Sequence, residues 1–183
     1  MSYKTDLHIH SWYSDGTMSP LDIVERYSQE KYDLISITDH EVTDGIAEAI
    51  EAGKDKNLRV IPGIEIATVC RGIELHILGY YFDADDQKLK DQLRLLARQR
   101  SRRNKRLLAV LAHPCKIKGL GVRGSSEFKS SFDGLLRELK AMGLKGLECI
   151  YPEHTDEEKF FFIDEAAKYH LHITEGSDFH GDR

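Results

Sequence analysis

Apolar, strand-like runs in this chain end, one after another, in histidine or carboxylate, and that rhythm limits the folds open to it. His8 and His10 close "TDLHIH", His40 closes "DLISITDH", and Glu65 lies in "PGIE". His76 lies in "ELHILGY", His113 in "VLAHP", Glu148 in "GLECIYP", and Asp178 with His180 in "EGSDFH". Seven of the nine histidines fall at or just after such strand ends. Buried singly, polar groups like these are costly. Gathered at one mouth of a parallel barrel, where strand C-termini converge, they make a site.

The intervening segments read as helices. Ser19 can cap a helix with Pro20 at its first position, and Leu21, Val24 and Tyr27 recur at helical spacing. "TDGIAEAIEAGKDK" and "SSFDGLLRELKAMG" continue the alternation, and Thr155 with Glu158 forms a capping-box signature opening "TDEEKFFFIDEAAKY". A long polar helix is expected over "DADDQKLKDQLRLLARQRSRRNKRLL". "LRVIPGIEIATV" and "IELHILGYYF" are strands separated only by a short turn at Arg71 and Gly72. Seven strands with helices mostly between them predict a parallel α/β architecture, an incomplete or distorted barrel rather than an open sheet.

At 183 residues the chain suits one well-buried domain. A net charge of −5 excludes nucleic-acid coating through bulk charge. No apolar run approaches the roughly 20 residues that span a bilayer, and "MSYKTD" lacks the apolar core of a signal peptide. Cys70, Cys115 and Cys149 form no CxxC pair, which points to free thiols in a reducing compartment. The expectation is a cytoplasmic protein without membrane association.

His8-x-His10 and Asp178-x-His180 are i, i+2 pairs, so in extended backbone each puts two ligands on one face. Imidazole with carboxylate suits zinc, manganese or iron and does not suit an all-oxygen calcium cage. Six histidines and three carboxylates exceed one tetrahedral zinc and would serve two or three ions. Such a centre can generate hydroxide at neutral pH and neutralise a phosphoryl group during in-line displacement. His170 and His172 form another HxH, but at the start of the last strand, where a structural role is expected.

Taken in order, "DLHIHSWYSDGTMSP", "SITDH", "IPGIE", "ELHILGY", "VLAHP" and "GSDFHG" resemble the motifs of the PHP (polymerase and histidinol phosphatase) domain over essentially the whole chain. The resemblance implies a distorted seven-stranded (β/α)7 TIM-like barrel, with a trinuclear metal centre that hydrolyses phosphoesters. By position, His8, His10, Glu65 and Asp178 would hold one ion. Glu65 would bridge to a second ion completed by His76 and His113, and Asp15, His40 and His180 would hold a third. A hydroxide bridged near Glu65 would attack phosphorus. Two to three divalent ions (Mn, Fe or Zn) are implied.

Asp15, and "YPEHT" after strand six, look most like the branch acting on nucleoside 3',5'-bisphosphates and 5' ends of short RNA. A histidinol-phosphatase-like phosphomonoesterase is the alternative within the family. Members of that branch usually carry a mostly helical insertion before the "LAHP" strand. This chain is expected to be a single domain over 1–183 lacking that insertion between about residues 106 and 109.

For the substrate side, Arg98 and Arg102 share a helix face at i, i+4 and could fork onto phosphate. Lys116 and Arg123 follow "LAHP" on the expected mouth side, and Tyr151 and His154 follow strand six, with His154 a candidate proton donor. Trp12 and Tyr13 could stack on a base or pack the rim. A small phosphorylated partner, a nucleotide or short oligonucleotide, is expected. Two other classes compete: a non-catalytic metal-stabilised module, and an amidohydrolase acting on C–N bonds. Turnover of a phosphoester separates them.

Overall fold

The computed structural model describes residues 3–96 and 108–181. Eight strands and five α-helices are found among them. The first three strands, β1 (Thr5–Ile9), β2 (Leu34–Ile37) and β3 (Arg59–Val60), form a parallel sheet. The other five form a second sheet in chain order: β4 (Gly63–Cys70), β5 (Ile73–Tyr80), β6 (Leu108–Leu111), β7 (Gly146–Ile150) and β8 (His172–Glu175). Isolated parallel bridges connect the two sheets on both sides, Ile9 with Phe179 and His40 with Glu65.

Two expectations need correction. The single strand expected over "LRVIPGIEIATV" is divided, because Pro62 has no N–H to give a ladder. The architecture is also not uniformly parallel: β5 runs antiparallel to both β4 and β6. The cause is local. Arg71 and Gly72 both have positive φ, at 52° and 78°, as a two-residue hairpin turn of the type I′ kind requires. A turn that short can only reverse the chain, since a parallel connection needs a crossover.

The helices form where capping and periodicity predict. In α1 (Pro20–Gln29) the Ser19 hydroxyl accepts from the Asp22 amide, and in α5 (Asp156–Lys168) the Thr155–Glu158 capping box is complete. Helix α2 (Ile46–Lys54) falls within its expected segment, and α4 (Ser126–Ala141) starts four residues before its expected one, because the Ser125 hydroxyl caps it by accepting from the Phe128 amide. The long polar helix is described only as α3 (Gln87–Leu96). No helix among the described residues is long and apolar enough to cross a membrane.

Burial divides the core into layers. Ile23, Val24 and Ala49 from α1 and α2 pack on Ile9, Ile35 and Ile37 of the first sheet. Phe128, Phe132 and Leu136 of α4 and Phe162 of α5 pack on Leu111 and Leu147 of the second. Each Ile, Val, Leu or Phe among them contributes about 1.5–3 kcal/mol. Leu34, Ile61, Leu78, Tyr80, Val110 and Ala112 form a third cluster drawn from strands and their ends. Within it the Tyr80 hydroxyl donates to Leu7 O at 2.7 Å, tying β5 to β1 beneath the polar residues.

Candidate metal centre

The strand-end residues meet around one carboxylate. Glu65 is 1% exposed. Its Oε1 lies 2.8 Å from His76 Nδ1 and 3.3 Å from His113 Nε2. Its Oε2 lies 3.1 Å from His8 Nε2, 3.0 Å from His10 Nε2 and 3.6 Å from His40 Nδ1. Asp178 Oδ1 lies 3.3 and 3.4 Å from the same two nitrogens of His8 and His10. Asp15 approaches His180 at 3.2 Å and His10 at 3.4 Å, and His40 stands 4.0 Å from Asp15.

Three clusters with convergent ligand atoms result: His8, His10, Glu65 and Asp178; His10, Asp15 and His180; and His40, Glu65 and His76. The sequence-based grouping differs in detail. His10 rather than His40 sits with Asp15 and His180, and His40 shares Glu65 with His76, while His113 stands against the same carboxylate oxygen.

Particular elements put them there. Glu65 and His76 come from the β4–β5 hairpin, where Ala67 pairs with His76. His76 is therefore mid-strand on an antiparallel strand, not at a parallel strand's C-terminus. Register irregularities fall at Asp6/Ile9 in the β1–β2 ladder and at Glu148/Ile150 in the β7–β8 ladder, next to the site, where bulges commonly re-aim side chains. His113 (φ 23°) and Asp178 (φ 55°) have left-handed backbones. For non-glycine residues this is strained, and such strain concentrates at functional positions.

The electrostatics follow from the geometry. Burial opposes it, yet the surrounding imidazoles hold the Glu65 carboxyl far below the usual carboxylate range. Asp178 is likewise held low against burial, by His10, His8 and Lys116. His10 rises to about 9 despite burial, because Asp178 and Glu65 face it. His8 rises against burial through Glu148 and Glu65. His76 rises through its bond to Glu65, whereas burial lowers His40.

The donor set fits divalent ions. His10 Nε2 is buried and makes no hydrogen bond, although oxygens of Glu65 and Asp178 lie 3.0 and 3.4 Å away. Distance is met and alignment is not, as when ring nitrogen and carboxylates are aimed at a common cation rather than at each other.

Neighbouring side chains hold the frame. Asp39, which the sequence reading passed over, accepts from Ser11 N at 2.8 Å and from the Ser11 and Ser14 hydroxyls at 2.5 Å each, fixing the loop that carries Asp15. Its signal was the carboxylate of "TDH", one residue before a histidine. Lys116 Nζ donates to Asp178 Oδ2 at 2.9 Å, and the Tyr151 hydroxyl shares its one proton between the same oxygen at 3.2 Å and Glu153 Oε1 at 3.1 Å, leaving Asp178 Oδ1 to face the histidines. A cleft of about 650 Å³ opens over the centre, lined by Asp15, His40, Glu65, His76, His113 and Asp178, with Lys116 and Lys118 at its edge.

Other expected substrate contacts stand elsewhere. Arg123 forks onto Glu158, with Nη2 2.6 Å from Oε2, and also donates to the Glu153 carbonyl, so it anchors the start of α5 and does not line the cleft. His154 is buried against Tyr151 and Phe162, donates from Nδ1 to Cys149 O at 2.9 Å, and is likewise outside the cleft lining. Burial also lowers its pKa. A proton donor must reach its acceptor, and His154 is shut behind Tyr151. Trp12 is exposed, and Tyr13 packs beside Gly45 and Pro20. Arg98 and Arg102 lie outside the described residues. His172 is exposed at the start of β8, away from the cluster.

Comparison with known proteins agrees with this geometry. Residues 6–147 match the PHP domain. A 5'-3' exoribonuclease of Haemophilus influenzae is 36% identical over 110 residues, 60% of this chain and 39% of that protein. A 3',5'-nucleoside bisphosphate phosphatase of Chromobacterium violaceum is 29% identical over 132 residues, 72% of this chain and 42% of that protein. The matches thus span about two fifths of these curated relatives. Among solved structures, an amidohydrolase from Chromobacterium violaceum with bound sulfate superposes with a TM-score of 0.81 at 19% identity, covering 97% of this chain and 88% of that one. A protein of Bifidobacterium adolescentis, assigned as a metal-dependent phosphoesterase, gives 0.75 at 20% identity, covering 99% and 89%. At these identities the superpositions show a shared α/β fold.

Proposed function

The chain belongs to the PHP domain family, and on that footing we propose that it hydrolyses phosphate esters of nucleotides with bound divalent metal ions. One observation carries the reading: five imidazoles and the Asp178 carboxylate converge with Glu65 beneath an open cleft. The two sheets read as one distorted seven-stranded barrel, with β3 and β4 as halves of a strand broken at Pro62. The two isolated bridges support that closure. We take residues 1–183 as a single PHP domain.

His8, His10, Glu65 and Asp178 would hold one ion, His76 and His113 with Glu65 a second, and Asp15, His180 and His40 or His10 a third. Mixed imidazole and carboxylate donors suit manganese, iron or zinc. Bound there, the ions supply water activation and neutralise charge on a phosphoryl group. The protein's own part is positioning. Tyr151 and Lys116 fix the orientation of Asp178, and Asp39 fixes the Asp15 loop. Lys116, whose pKa rises against burial through Tyr151 and Asp178, keeps a positive charge at the cleft edge where a phosphate would enter.

The relatives named for exoribonuclease and nucleoside bisphosphate phosphatase activity support a nucleotide substrate. The test is hydrolysis of adenosine 3',5'-bisphosphate by the manganese-loaded protein, with histidinol phosphate in parallel and bound metal counted. Preference for the bisphosphate supports the nucleotide reading. Preference for histidinol phosphate transfers it to that branch, and no turnover by a metal-loaded protein favours a non-catalytic module.

A further inference from the structure

We propose that Glu148 is a positioning residue: it selects the ring nitrogen that His8 presents and pins the strained backbone of His113, so that one carboxylate from β7 sets two ligands on two other strands. The inference rests on the ligand reading above. The sequence rhythm counted Glu148 among the strand-end carboxylates, yet it belongs to none of the three convergent clusters. Both its oxygens are engaged. Oε1 accepts from His8 Nδ1 at 2.9 Å, and Oε2 accepts from the His113 amide at 2.6 Å.

The carboxylate is fully buried, as is His8. With Glu148 accepting from Nδ1, that nitrogen carries a proton, and Nε2, 3.1 and 3.3 Å from Glu65 and Asp178, is the nitrogen left to face a cation among those carboxylates. Hydrogen bonding to the far ring nitrogen is the general means of fixing a histidine ligand's tautomer and ring plane. The second bond holds His113 at φ 23° and ψ 63°, a conformation that needs outside support.

The space behind Glu148 is matched to this role. A Cβ at Gly176 would lie 2.5 Å from Glu148 Oε1 and would clash with the His8 Cβ. Position 176 therefore has no room for a side chain, because this carboxylate and the Cβ and N of His8 fill the place. Glu148, His8 and Gly176 come from β7, β1 and the segment after β8, so the contact also fixes the spacing of three segments.

Glu148→Gln is the diagnostic change. The amide keeps the shape, but one of its two terminal atoms becomes a donor, so it cannot accept from His8 at one end and the His113 amide at the other. Chelator competition should show metal affinity reduced 10- to 100-fold in a protein with unchanged circular dichroism. Nitrogen-15 spectra of the histidine rings should show His8 protonated on Nδ1 in the wild type and altered in the variant. Glu148→Asp, one methylene shorter, should fail to restore affinity.

A variant that melts earlier but keeps wild-type metal affinity and the His8 tautomer would overturn the proposal. Should Glu148→Gln fail to fold, the wild-type spectrum decides: a bare Nδ1 on His8 refutes it. A wild type that binds no metal, with Nδ1 still protonated, would sink the ligand reading and leave the Glu148 bond standing.

Discussion

Glu65→Gln is the sharpest perturbation of this centre. The substitution preserves volume, so it opens no cavity. It changes two things. The side chain loses its charge, and only one of its two terminal atoms can still accept. At present Oε1 faces His76 at 2.8 Å and His113 at 3.3 Å, while Oε2 faces His10 at 3.0 Å and His8 at 3.1 Å. A unit charge removed at roughly 4 Å from one net positive charge, which is what a divalent ion retains beside a second carboxylate such as Asp178, costs about 4 kcal/mol at an effective dielectric near 20. That is close to a thousandfold in affinity. Because Glu65 borders two of the three clusters, more than one ion should feel the change. The assay is metal content by mass spectrometry after loading with manganese and dialysis, followed by chelator competition, with circular dichroism to confirm the fold. The expected result is loss of at least one equivalent and a hundred- to thousandfold weakening. Wild-type stoichiometry and affinity in a folded variant would refute Glu65 as a shared ligand.

Arg123→Met should lower stability by about 1 kcal/mol, a discounted figure because the guanidinium is 41% exposed, with kcat/KM unchanged; a higher KM at unchanged melting temperature would return Arg123 to the substrate. The sign with pH is fixed: Arg123 holds Glu158 at about 2 against an ordinary 4.5, so its stabilisation is complete above about 4.5 and disappears as pH falls through about 2. Melting curves of wild type and variant should therefore differ at pH 7 and converge near pH 2. Stripping metal with a chelator should lower the melting temperature, since an ion at a thousand times its Kd adds about 4 kcal/mol, or roughly 8–16 °C per site in a chain of this size; identical melts with and without chelator would exclude tight resident ions. Gly176→Ala should cost about 1–3 kcal/mol by overpacking and reduce bound metal, and a fully loaded, equally stable variant would contradict the close packing at Glu148.

Eight of the nine candidate ligands were legible because each ends or interrupts an apolar run, and period-2 backbone then fixes its face; Asp15 lies in the polar loop "SWYSDG" and is indicated as a ligand only by the family resemblance. The grouping among them was not legible. Whether His10 or His40 stands beside Asp15 depends on bulges and loop geometry that one sequence does not encode locally. The antiparallel course of β5 could have been read, since Arg71 and Gly72 leave no room for a crossover; the alternation of strands and helices elsewhere outweighed it. Arg123 shows the usual hazard of loop cations. Its placement after "LAHP" suited a phosphate, but the capping-box Glu158, 35 positions later, captured it. His154, in "YPEHT" after strand six, suited a proton donor, and only packing against Phe162 shows it to be buried.

The meeting of β1 with the segment after β8 has a consequence for the order of assembly. The Asp178 amide donates to His8 O and the His10 amide to Phe179 O, both at 2.8 Å, while Asp6 accepts from the Ser177 amide at 2.9 Å. These partners lie about 170 positions apart in sequence, and closing a loop of that length costs about 4–5 kcal/mol in chain entropy. During synthesis His8 and His10 leave the ribosome first and wait for Asp178 and His180 until nearly all of the described chain has emerged. A nascent chain thus carries His40, Glu65 and His76 together, while the two clusters that include His10 still lack Asp178 and His180. An ion held by Asp178 or His180 would therefore be captured late, after docking of the last segment, and would lock it in place.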